Sequence, residues 1–200
     1  MRICITLDDV IRAKTAQICK MYQKYIDPSI NLDELDLSDN NLGEVLGFES
    51  DSEYKDFLYN TYSYEVFAEA STTEKMVDKT LNLWHMNLSN NDELDEPVEV
   101  ILANAFEFNN SIGYTYFFLS KIATRVREIY LPMDSSTIWD KCDVLVTATP
   151  NLISNKPDGK IVVKIEMPYN KDIESDYSYQ KLSDFLNDNE IIEKLINKNG

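Results

Sequence analysis

Five short, mostly apolar runs constrain this chain more than any other feature: RICITL (2–7), VEVILA (98–103), REIYL (127–131), DVLVT (143–147) and KIVVKIE (160–166). A strand with one wet face alternates apolar and polar residues, whereas a strand covered on both faces can stay apolar throughout. Runs of this kind, interleaved with segments of helical periodicity, predict an α/β fold with a parallel sheet between layers of helix.

The spacing of the runs is uneven. After the first, a long and mainly helical block intervenes before the second; the later runs alternate with short helical segments. Asp9 offers an N-cap for a helix over Val10–Tyr25, ended by Asp27-Pro28. Tyr54, Phe57, Leu58, Tyr62, Val66 and Phe67 recur at helical steps, with a break at 61–63. Ser71-Thr72-Thr73-Glu74 reads as a capping box opening a helix to Leu88. Further helices are expected over Ser111–Ala123 and Tyr179–Asn197. The expected fold is therefore a Rossmann-like parallel sheet of about five strands, helices on both faces, with a helical cap inserted after the first strand. Residues 1–10 and 95–200 would form the core and 11–94 the cap.

With 35 acidic and 19 basic residues, the formal net charge is −16. That surface repels phosphate backbones and anionic lipid, so neither direct nucleic-acid binding nor a membrane partner is expected. Three widely spaced cysteines and one histidine provide no zinc-binding pattern. The opening residues reach Asp8 and Asp9 too early for a signal peptide, and no apolar run approaches a bilayer's thickness. Synthesis in a cytoplasm with reduced cysteines is the expectation.

In a doubly wound sheet the ligand crevice lies beyond the carboxyl ends of the strands, where the strand order reverses. Around those positions the segments ICITLDDV, VEVILAN and DVLVTATPNLI, with KPDGKIVVKIEMPYN near the end, resemble the haloacid dehalogenase-like (HAD) phosphohydrolases, 5'-nucleotidase-type members above all. The resemblance implies an aspartate nucleophile on phosphorus, a second aspartate as general acid and base, and a magnesium ion held by acids. Here the nucleophile position holds Thr6, and the acid/base position keeps Asp8. Asn104 stands for a phosphate-binding Ser or Thr, and Thr147 with Ala148 for the acidic pair. Lys121 and Lys141 are candidates for the family's lysine. Asp140 and Asp143 fall at the amino edge of their strand, away from any such site.

A threonine hydroxyl without an adjacent base is a poor nucleophile, and one carboxylate is little to offer magnesium. The expectation is a pseudoenzyme with no cofactor and no metal, kept for its shape. The asparagine- and tyrosine-rich texture, with TRVREIYLP followed by TIWDKCDVLVTATPN, also resembles HAD-like proteins of large tailed bacteriophages, the crass-like group included, which implies a structural or assembly role in a virion's portal, neck or tail region. Its partners would be other virion proteins, with several symmetric copies of this chain. Tyr59 and Tyr64, off the apolar stripe of their helix, are the interface candidates. The alternatives are an active or divergent magnesium-dependent 5'-nucleotidase, and a module that binds nucleotide without turnover.

Overall fold

The structure, a computed structural model, describes residues 1–39, 41–89, 98–104 and 109–197. Its centre is a six-stranded sheet in the order β3-β2-β1-β4-β5-β6. The strands are β1 (Arg2–Thr6), β2 (Glu99–Ala103), β3 (Glu128–Tyr130), β4 (Val144–Thr147), β5 (Ile161–Ile165) and β6 (Tyr177–Tyr179). Every pairing is parallel. Between β1 and β2 the chain forms α1 (Lys14–Tyr25), α2 (Leu42–Val45), α3 (Asp51–Asp56), α4 (Ser63–Phe67) and α5 (Val77–Ser89). Helix α6 (Asn109–Lys121) follows β2, α7 (Pro150–Ser154) joins β4 to β5, and α8 (Leu182–Leu186) and α9 (Asn189–Asn197) follow β6.

Both faces of the sheet are covered, as the unbroken apolar runs require. One side gathers Ile3, Ile5, Leu102, Val146 and Val163 with Leu81 of α5, Phe118 of α6 and Phe185 of α8. The other packs Cys4, Ile101, Leu145 and Val162 against Ile138, Trp139, Leu152 and Ile153. A third apolar cluster belongs to the insert itself and joins Ile18 and Tyr22 to Phe57, Val66 and Phe67. Thus α1–α4 build their own small core, while α5, from the same insert, packs on the sheet. The expected boundary at residues 94 and 95 lies outside the described residues. Cys4, Cys19 and Cys142 are free and buried. Among the described residues no helix is long and apolar enough to cross a membrane.

The sheet has six strands where about five were expected, a correction with a physical cause. Tyr177-Ser178-Tyr179 is an edge strand whose exposed middle residue gives it no apolar run. The expected helix from Tyr179 begins only at Leu182 and breaks between α8 and α9. Helix α1 starts at Lys14, not Val10, because the amides of Val10, Ile11 and Arg12 all turn back onto the Leu7 carbonyl. Asp9 enters that turn with φ at 57°. The expected break near residue 61 is a π-helical turn over Phe57–Thr61. The Ser71–Glu74 box caps no helix: Ser71 and Thr73 pair instead with the backbone of residues 11–13, and α5 opens at Val77.

Two polar side chains tie the strand ends together below the crevice. Lys164, 5% exposed on β5, donates its Nζ to the carbonyls of Lys171 (3.2 Å) and Ile173 (2.8 Å). Asn170, fully buried, donates through Nδ2 to Ala148 O (2.8 Å) and Ile165 O (2.9 Å), and its Oδ1 accepts from Met167 N (2.9 Å). Removing such an amide strands several buried backbone groups. Asn170→Ala is expected to lower stability by roughly 2–4 kcal/mol, read as an earlier midpoint in urea unfolding; a midpoint within error of the wild type would contradict this bracing role.

Candidate functional site

The order of the sheet reverses between β1 and β4, and the carboxyl ends of those strands open into a cavity of about 370 Å³. Asp8, Asp9, Lys14 and Asn104 line its floor, Thr149, Pro150 and Tyr169 one flank, and Ile18, Tyr54, Leu58 and Tyr59 of the insert its roof. Asp8 and Asn104 both line this cavity, whereas Thr6, Thr147 and Ala148 are buried and do not line it. Lys121 and Lys141 do not reach it. Lys121 donates to the Ala68 carbonyl at 2.8 Å, and Lys141 lies over the Tyr130 ring. Asp143 stays at the amino edge of the sheet, bonded by Arg2 N and Lys160 Nζ.

Asp8 is the centre of the floor and is heavily engaged. Its Oδ1 accepts from Arg12 Nε (2.9 Å) and Nη2 (2.7 Å), and its Oδ2 from Lys14 Nζ (2.8 Å) and Asn104 Nδ2 (3.2 Å). Asn104 returns the contact by accepting the Asp8 backbone N–H at 3.2 Å. Burial alone would raise the Asp8 carboxyl, but the charges and hydrogen bonds of Arg12 and Lys14 outweigh it and hold the group down at about 2. Asp9 shifts the other way. Burial raises it against the Thr15 hydrogen bonds, with the adjacent Asp8 charge adding to the rise. Its carboxylate accepts from Thr15 N (2.9 Å), Thr15 Oγ1 (2.5 Å) and Tyr169 Oη (2.8 Å).

The hydroxyls are also spoken for. Thr6 Oγ1 donates to Thr147 Oγ1 at 3.1 Å, and Thr147 Oγ1 accepts the Thr149 N–H at 3.1 Å. Ala148 is fully buried, its methyl group has nothing polar to offer, and its carbonyl accepts from Asn170.

Arg12, Lys14 and Tyr169 are the residues that the sequence reading missed. Arg12 is 0% exposed, a rare state for a guanidinium, and composition gives no reason to bury it. The signal was the spacing: Arg12 lies four residues after Asp8, and both flank a tight turn. Tyr169 stood within the noted PYN segment, with its side chain unassigned.

A haloacid dehalogenase-like hydrolase from Burkholderia xenovorans LB400 aligns over 95% of this chain and 96% of its own, with a TM-score of 0.55 and 8% identity. The HAD-hydrolase YfnB from Bacillus subtilis, in a magnesium-bound form described as revealing interdomain movement, aligns over 93% and 98%, with a TM-score of 0.51 and 11% identity. The chain has a HAD-like fold. No family model matches the sequence, and no curated protein does.

Magnesium, which the fold family implies, does not suit the donors on this floor. The ion favours about six oxygens at near-octahedral angles, several of them anionic. Of the carboxylates lining the cavity, Asp8 has both oxygens facing cations, Asp9 accepts from Thr15 and Tyr169, Asp39 accepts the Asn41 N–H and Asp51 pairs with Lys55. An incoming divalent ion would meet Arg12 and Lys14 at close range. Among the described residues no group of three or more His, Cys, Asp or Glu side chains could hold a metal.

Cutting the Asp8 charge leaves a buried guanidinium uncompensated, so Asp8→Asn is expected to cost about 3–5 kcal/mol in denaturant unfolding. The sign with pH follows from the depressed carboxyl. Its stabilisation is complete above the unfolded value of about 4 and is lost as pH falls toward about 2. The gap between wild type and Asp8→Asn should therefore be widest above pH 4 and close toward pH 2. A gap independent of pH would show that the charge is not the cause. The neighbouring Asp9, raised by burial, works in the opposite sense within each protein.

Proposed function

We propose that this protein is a catalytically inactive HAD-like scaffold that serves as a structural or assembly component, in a bacteriophage virion's portal, neck or tail region. The observation that carries the first half is Asp8, the one acid at the expected catalytic positions, held between Arg12 and Lys14. A general acid works best with a pKa near the operating pH, and this carboxyl is held at about 2. The hydroxyl of Thr6 donates to Thr147, and among the described residues no base is paired with it.

The assembly half rests on the likeness of the sequence to phage HAD-like proteins, and on surface chemistry. Tyr64 is 40% exposed and sits edge-on to Tyr114 (5.4 Å) and near Phe117 (6.0 Å), itself 48% exposed. Such aromatic surface is enriched at protein interfaces. Tyr59, the other interface candidate, is half-buried in the cavity roof and stacks on Phe67 at 5.6 Å. Between Asp27 and Asp56 the chain carries ten carboxylates and one lysine. A partner docking there would present a basic face.

A second reading has two observations in its favour. The cavity stands at the switch point of the sheet, and the HAD-like neighbours are described as hydrolases. A divergent magnesium-dependent 5'-nucleotidase would use it.

A phosphate-release assay with nucleoside monophosphates and Mg²⁺ separates the two. The scaffold reading expects no turnover above background, and Thr6→Asp alone should not produce any, because the acidic pair is absent as well. Losing a nucleophile costs on the order of a millionfold in rate. Turnover abolished by Asp8→Asn would reverse the conclusion. For the assembly role, mass spectrometry of purified virions should find the chain in several copies; its presence only as a free monomer in infected cells would end that proposal.

A further inference from the structure

We infer that Arg12 is a built-in clamp that holds the helical insert shut over the cleft floor with no metal ion taking part. Its guanidinium touches three separate parts of the molecule. Toward the floor it pairs with Asp8 at 2.7 Å. Toward the insert, Nη1 donates to the Phe67 carbonyl at 3.2 Å, and the group lies 5.1 Å from the centre of the Phe67 ring. Toward the sheet layer, Nη1 donates to Thr115 Oγ1 at 2.8 Å and the group lies 5.5 Å from the Phe118 ring on α6. The residue is fully buried, so water replaces none of these contacts while the insert is closed.

A planar guanidinium offers its donors in a fixed fork, so one group can serve three fixed partners only if all three keep their places. Swinging the insert away would take the Phe67 carbonyl and ring from Arg12 and leave its charge beside Asp8 and Thr115 in a half-open, low-dielectric cleft. The chain crossings remove the remaining freedom. Where the chain leaves and re-enters the sheet layer, Ala13 N donates to Ser71 O at 2.9 Å and Thr73 N to Ile11 O at 2.9 Å. Thr73 Oγ1 adds a bond to Val10 O at 2.7 Å, and Lys121 Nζ of α6 holds the Ala68 carbonyl at 2.8 Å. The two crossings form a short antiparallel bridge instead of two free hinges. The cavity beneath is consequently a chamber of one shape, and its roof opens only with the whole molecule.

The inference stands apart from the functional proposal. A positive hydrolysis assay would remove that proposal and leave the clamp; a loose insert would do the reverse. Hydrogen exchange of the intact chain, followed by mass spectrometry, reads the clamp directly. In the wild type, amides of α1 and α4 should exchange within about tenfold of those in β1 and β4, with or without Mg²⁺. Arg12→Lys keeps the charge but cannot reach three partners. It should speed exchange in α1 and α4 by at least about tenfold while the strands stay protected. Should that variant not fold, Thr115→Val removes a single partner and should give a smaller acceleration in the same segments. The clamp is refuted by an insert that exchanges far faster than the strands in the wild type, by Mg²⁺ slowing the insert, or by insert protection unchanged in whichever variant folds.

Discussion

A guanidinium without solvent is the constraint around which the rest of this molecule is arranged. Moving such a charge out of water costs several kcal/mol even after relaxation, so Arg12 can be buried only where anion, carbonyl, hydroxyl and ring faces meet it together. Asp8 supplies the anion, Phe67 the carbonyl and a ring, Thr115 the hydroxyl. Those partners come from the end of β1, from the insert and from α6. The turn that makes the meeting possible gathers three amides on the Leu7 carbonyl and sends Asp9 into the left-handed region. One buried charge thereby fixes how the insert leaves the sheet, how it returns, and what the floor of the cleft can offer a ligand.

The sheet puts that cluster where a parallel α/β fold concentrates its ligand chemistry. With β1 central and the order reversing between it and β4, the loops after both strands open into the same gap. Polar residues buried below the gap act as braces. Asn170 spans the Ala148 and Ile165 carbonyls, Lys164 gathers the loop after β5, and Tyr169 reaches over to Asp9. Each is satisfied, as buried polar groups must be if they are to stabilise. Ser63 Oγ and Trp84 Nε1 are buried without a partner among the described residues, and neither lines the cavity.

Much of the architecture was legible because parallel strands covered on both faces announce themselves as apolar runs. ICIT, EVILA, VLVT and IVVKI all became strands within a residue or so of their expected limits. Edge strand β6 escaped because a three-residue, half-exposed element carries neither an apolar run nor a long alternation. The Ser71–Glu74 segment misled for a different reason: hydroxyls that suit a helix cap suit a chain crossing equally well, and tertiary pairing with residues 11–13 decided between them. In the cleft, Asp8 and Asn104 could be placed by their position after strands. Arg12 could not, since long-range partners such as Phe67 and Thr115 are what permit its burial, and no local pattern encodes them.

The chemistry of the floor and the stability of the fold pull in opposite directions here. A working acid–base site keeps charges and lone pairs uncommitted, and such groups destabilise the protein that holds them. On this floor four donors converge on Asp8, and nearby Thr6 donates its hydroxyl to Thr147. The arrangement that holds the Asp8 carboxyl down at about 2 is the same one that lets Arg12 be buried. Arg12 meets Asp8, the Phe67 carbonyl of the insert and Thr115 of α6 at once, so one side chain serves both the acid and the contacts joining insert to sheet. In a cleft built this way the polar groups of the floor go into holding a shape, because the donors that satisfy Asp8 are the ones that tie the insert to the sheet.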